Sequence, residues 1–141
     1  MDFELHPQLA ADCHAVGDFP LCRLLLMNDA QYPWFILVPR RAAVREIYQL
    51  SAADQSALLR ESSLLGAALM RAFTGDKLNI AALGNQVPQL HLHHIVRYQG
   101  DPAWPAPVWG KLPARPYAEP ERQARVAALR PRLPDNFVWA G

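Results

Sequence analysis

The segment Gln89-Leu90-His91-Leu92-His93-His94-Ile95-Val96 sets three imidazoles within four positions. On an extended strand side chains alternate between faces, so Gln89, His91 and His93 share one side while Leu90, Leu92 and His94 take the other. Imidazoles attack phosphorus, carry protons or bind metal near neutral pH. His91 is the central candidate nucleophile, provided one ring nitrogen is free and the other donates to a fixed acceptor. Gln89 can hold neighbouring groups because its amide both donates and accepts without ionising. His93 can contact a phosphate or a departing oxygen. The structural alternative assigns all four polar side chains to buried or edge hydrogen bonds.

Metal binding is the sharpest competing chemistry. His91 and His93 can coordinate a divalent ion, but a zinc site needs at least one more protein ligand, which His6, His14 or an Asp would have to supply after folding. Ahead of the histidines, Gly84 and Asn85 mark a loop in which glycine permits a close backbone approach, a candidate phosphate cradle. Arg40, Arg41 and Arg97 are candidates for balancing phosphate charge, set against a reading as ordinary exposed basic residues.

Several elements must position these groups. Pro7 and the apolar residues Leu9, Ala10, Ala11, Cys13 and Val16 predict a short helix over 7–16, stopped by Gly17-Asp18. Leu21 to Met27 reads as a strand buried on both faces, and after the Asn28-Asp29 turn Trp34 to Val38 returns as the second arm of a hairpin. Ser51 and Asp54 stand at N-cap and N3 spacing and open a helix over 52–73 whose stripe carries Leu58, Leu65, Leu69 and Phe73. Leu78–Ala82 and Leu90–Arg97 read as two further strands. Repeated prolines with Trp104 and Trp109 make 100–120 irregular, and Val126, Leu129 and Leu133 anchor a late helix within 119–133.

With 141 residues, 51% of them apolar, the chain suits one α+β domain with its own core. Fourteen Lys and Arg against thirteen Asp and Glu give a net charge of +1, which provides no general field for DNA or RNA. Small anionic ligands remain compatible. The start of the chain shows no basic region followed by an apolar export segment, and the longest aliphatic run, Leu24 to Met27, is far too short for a bilayer. A cytoplasmic protein with Cys13 and Cys22 reduced, and no membrane partner, is expected.

Leu83-Gly84-Asn85-Gln86-Val87-Pro88, continuing through the histidine strand to Val96, resembles the signature of the histidine triad (HIT) superfamily, in which three histidines alternate with apolar residues. Trp34 to Arg40 is similar to the earlier strand and basic turn of these domains, and residues 20–110 follow their order of elements. The resemblance implies a single HIT-like domain over 1–141: a mainly antiparallel sheet, a long packed helix and an irregular C-terminal extension. It implies hydrolysis or transfer of a nucleotide from a nucleotide conjugate or dinucleoside polyphosphate through a covalent nucleotidyl-histidine. His91 then matches the nucleophile and His93 the third triad residue. Asn85 and Gln86 match the loop that approaches the phosphate, and Asp29 falls near the nucleoside sugar. The resemblance further implies a homodimer with joined central strands, and no cofactor or protein-bound metal is expected.

The departures from the pattern are specific. Gln89 replaces the first triad histidine, so an orienting role survives there while proton transfer does not. Trp34 occupies an earlier position that often carries a pocket histidine, and reads as a core or pocket-wall aromatic. His94 replaces an apolar neighbour and faces away. Trp109-Gly110 is loosely similar to an aromatic tail that shapes a neighbouring subunit's site in some HIT proteins. The alternative function is a nucleotide-binding protein with little or no turnover.

Overall fold

In the computed structural model, which describes residues 2–141, the elements run α1 (Pro7–Asp12), β1 (Cys13–Asp18), β2 (Cys22–Met27), β3 (Trp34–Pro39), α2 (Ala52–Phe73), β4 (Lys77–Ala81), β5 (Leu92–Arg97), α3 (Glu119–Leu129) and β6 (Val138–Trp139). The strands form one antiparallel sheet in the order β4-β5-β3-β2-β1-β6. This is an α+β fold with one long helix packed on the sheet and a helical C-terminal tail.

Both faces of the sheet are apolar, which explains the continuous rather than alternating hydrophobicity of β2 and β3. Leu24, Leu26, Phe35, Leu37, Leu92 and Val96 turn toward α2, where Leu58, Leu65 and Leu69 meet them. Leu25, Trp34, Ile36, Val38 and Ile95 form the opposite face, covered by Leu9, Tyr32, Ala103 and Val108. Helix α2 starts where expected because the Ser51 hydroxyl accepts the Asp54 N–H at 3.1 Å.

Glu61 fastens α2 to the sheet. Its buried carboxylate accepts the N–H groups of Leu21 and Cys22, both at 2.8 Å. Removing it in Glu61→Ala strands two buried donors, so a loss of about 1–3 kcal/mol is expected in a urea titration. Burial, reinforced by the Glu61 charge, pushes the Cys22 thiol well above its ordinary range. Cys13 pairs with Met27 at the far end of the β1–β2 ladder, so the two thiols lie about five strand residues, roughly 17 Å, apart.

The helix expected over 7–16 is shorter. It ends at Asp12, and Cys13–Asp18 forms β1, hydrogen-bonded to β2 on one side and β6 on the other. Gly17 lies inside this strand rather than stopping a helix. A side chain there would strike the Val138 carbonyl and the Phe137 ring, so glycine permits β6 to close against β1. Histidine strand β5 begins at Leu92, two residues later than expected, because the Leu90 N–H donates to the Val44 carbonyl outside the ladder.

Candidate active site

Alternation along β5 and the residue just before it divides the three histidines between two faces. His94 faces α2, fully buried, where its Nδ1–H donates to the Leu92 carbonyl and its Nε2 accepts the Ser62 hydroxyl at 2.7 Å. Burial pushes its pKa down to about 4, only partly opposed by the Leu92 bond. His94 is therefore a neutral structural link between sheet and helix. His91 and His93 lie on the other face with ring centroids 4.9 Å apart.

The His91 ring is held from behind. Its Nδ1 lies 2.7 Å from the Gln89 carbonyl, which can only accept, so Nδ1 carries a proton and in the neutral ring the lone pair is on Nε2. The Gln89 side chain serves another purpose. Its amide donates to the Glu4 carbonyl and accepts the His6 N–H, both at 2.9 Å, and so ties the N-terminal segment to the site.

Trp34 reaches His93 from the neighbouring strand. Its indole N–H donates to His93 Nδ1 at 3.0 Å, which leaves the His93 proton on Nε2. Burial, then the neighbouring His91 and His94, push the His93 pKa down to about 3. Among the described residues neither Nε2 has a hydrogen-bond partner, yet neither is sealed off: the Tyr32 hydroxyl is the one enclosed side-chain polar atom there without a partner. Trp109 closes the cluster edge-on, 5.0 Å from His93 and 5.7 Å from Trp34 between ring centroids.

The irregular tail carrying Trp109 is held by a buried ion pair. Arg97 binds Asp101 through two nitrogens at 2.8 and 3.0 Å, and donates also to Asn79 Oδ1 and the Ala106 carbonyl. Burial alone would raise the Asp101 carboxyl, but donors from Arg97, Tyr98 and Ala103 hold it below its ordinary value. Arg97→Met leaves that carboxylate buried without its cation. The expected loss is about 3–5 kcal/mol by chemical denaturation.

Arg97 is thus neither an exposed basic residue nor a free phosphate partner. Arg40 is likewise occupied by the Phe19, Pro20 and Leu21 carbonyls, and Arg41 by the Asp54 carboxylate. The residues that do share a narrow cleft of ≈ 10 Å³ with His91 include Gly84, Leu83, Arg45 and Glu46. Arg45 and Glu46 carry no motif signal; only the folded path of the loop after β3 brings them here. Gly84 adopts φ +74°, the left-handed region that favours glycine. Asn85 and Gln86 follow it, exposed, but do not line that cleft.

Asp29 lies in the β2–β3 turn. One of its oxygens accepts the Gln31 N–H and side-chain amide and, at 3.3 Å, the Arg115 N–H, which fixes the tail along this turn. The third ligand that a metal reading requires is missing: among the described residues no three His, Cys, Asp or Glu are placed to hold an ion. His6 instead caps α1 by accepting the Gln8 N–H, and His14 sits opposite Leu26 in the β1–β2 ladder. No described helix is long and apolar enough to cross a membrane.

An antiparallel sheet with a paired-histidine strand on one face and a long helix on the other defines a class, and the comparisons agree with it. A HIT domain is matched over residues 8–100, and the chain belongs to the HIT-domain family. It is 59% identical to a histidine triad protein from Marinobacter aquaeolei VT8, covering 94% of this chain and 97% of that one with a TM-score of 0.92. Histidine triad proteins from Bradyrhizobium japonicum and Sinorhizobium meliloti 1021 are 45% and 44% identical, with TM-scores of 0.92 and 0.91. They are covered over 98% and 97% of their lengths, by 94% and 93% of this chain. No curated protein matches the chain. Family membership carries a general nucleotide-binding and enzymatic role.

Proposed function

We propose that this protein is a nucleotidyl hydrolase or transferase in which His91 Nε2 attacks the α-phosphorus of a small nucleotide conjugate or dinucleoside polyphosphate. The observation that carries this reading is the Nδ1–H bond from His91 to the Gln89 carbonyl, which holds the ring from behind and leaves Nε2 without a partner among the described residues. An imidazole so held is a nucleophile without a metal's assistance. His93 donates from Nε2 toward the departing oxygen. Backbone donors of the Gly84-Asn85-Gln86 loop stabilise charge on the phosphoryl oxygens. Asp29 is assigned to the sugar end of the nucleotide.

The whole chain acts as one unit in this reading, since residues 4 and 6 hold Gln89 and residue 109 covers His93. A homodimer is proposed as well. An apolar groove of ≈ 640 Å³ lies between α2 and edge strand β4, lined by Ile47, Leu58, Leu59, Ile80 and Leu92, and sedimentation across concentrations tests whether a second copy fills it. Two thiols kept apart suit a reducing compartment, the cytoplasm.

The test is rapid quenching with a panel of nucleotide conjugates, followed by intact-mass and peptide mapping. A nucleotide mass on His91 during turnover supports the reading. Binding of nucleotides without any adduct or product assigns the protein to the non-catalytic alternative.

A further inference from the structure

The Trp34 indole can only donate, and its donation to His93 Nδ1 fixes where that ring keeps its proton. Protonating His93 would put a second N–H on Nδ1, facing the indole N–H with no acceptor between them. The ring also packs against two indoles, Trp34 and Trp109, with 6% of its surface exposed. It can offer its Nε2–H as a hydrogen bond, but releasing that proton would leave an imidazolate in an apolar site.

Neither of the two adjoining motif side chains compensates. The Gln89 amide does not ionise, and both of its ends are committed to residues 4 and 6. The His91 Nδ1–H is committed to the Gln89 carbonyl. His93 can therefore offer a departing group a hydrogen bond, but neither it nor Gln89 can hand that group a proton.

We propose, building on the covalent His91 reading, that Trp34 is a positioning residue that keeps His93 a donor without proton transfer. The site consequently acts on nucleotide conjugates whose leaving group departs as a stable oxyanion, such as phosphate, polyphosphate or sulfate, and discriminates against amines. In the first step the Nε2–P bond forms and the bridging P–O bond breaks. The oxygen keeps the electron pair and accepts a hydrogen bond from His93. In the second step a water oxygen attacks phosphorus, the P–N bond breaks with its electron pair returning to His91, and the water proton passes to solvent. An amine leaving group would need a proton in the first step, which the site does not supply.

The experiment compares conjugates of one nucleoside monophosphate with phosphate, sulfate, 4-nitrophenol and an alkylamine, using the full chain. Turnover is expected to fall steeply with leaving-group basicity, the alkylamine conjugate reacting about 10²–10⁴-fold more slowly than the anhydrides, the usual contribution of a general acid. The 15N spectrum of the protein at pH 7 should show His93 as the Nε2–H tautomer alone. In Trp34→Phe that tautomer should no longer be exclusive and the preference for oxyanions should shrink. Equal turnover of amine and anhydride conjugates, or a doubly protonated His93 at pH 7, overturns the proposal while leaving the His91 reading intact. Failure of every conjugate to label His91 overturns that underlying reading instead. If Trp34→Phe does not fold, the wild-type series and spectrum still decide.

Discussion

His91→Ala lowers turnover of every conjugate by at least about 10⁴-fold and removes the nucleotide adduct, because no other group can take over the first step. His93 Nε2 carries a proton rather than a lone pair, and its Nδ1 lone pair already accepts the Trp34 indole N–H. His94 lies on the opposite face with both ring nitrogens engaged. The fold should tolerate the change, since His91 precedes the β5 ladder and its one side-chain hydrogen bond is to a local carbonyl. A thermal midpoint close to wild type, together with retained nucleotide affinity, would separate lost chemistry from lost structure. Residual turnover within tenfold of wild type would place the nucleophile elsewhere.

The site strand was legible in the sequence because period-two alternation is a local rule: it put His91 and His93 together and turned His94 away. The cap of α2 was legible for the same reason, as Ser51 and Asp54 are three residues apart. What escaped depended on partners distant in the chain. Cys13 to Asp18 carries apolar residues that also fit a helix, and becomes a strand because β2 and β6 offer hydrogen bonds on both sides. The two-residue β6 has too little pattern of its own to be read. Gln89 finds its amide partners more than 80 residues away at positions 4 and 6. Arg97 looks like a surface cation until Asp101, Asn79 and the Ala106 carbonyl converge on it. Trp34 was readable as apolar, whereas its role as the donor to His93 required the β3–β5 pairing.

Acid should unfold this protein unusually early, and the cause lies in the two neutral histidines. Burial, with the neighbouring His91 and His94, holds His93 at about 3, and burial holds His94 at about 4, both below the ordinary histidine value of 6.5. Between 6.5 and those values the unfolded chain takes up protons that the folded chain refuses. Stability is therefore full above pH 6.5 and falls as the pH drops, by about 1.4 kcal/mol per unit for each ring. By pH 4.5 the pair removes about 5 kcal/mol, comparable with the whole stability of many domains. Urea midpoints measured from pH 7.5 to 4.5 test this directly, and a midpoint that does not move over that range would mean that both rings protonate within the fold. His94→Leu discriminates between the two rings. It strands the Ser62 hydroxyl and so lowers stability by a similar amount at every pH, but it deletes one titrating group, and the slope below pH 6.5 should fall to about half.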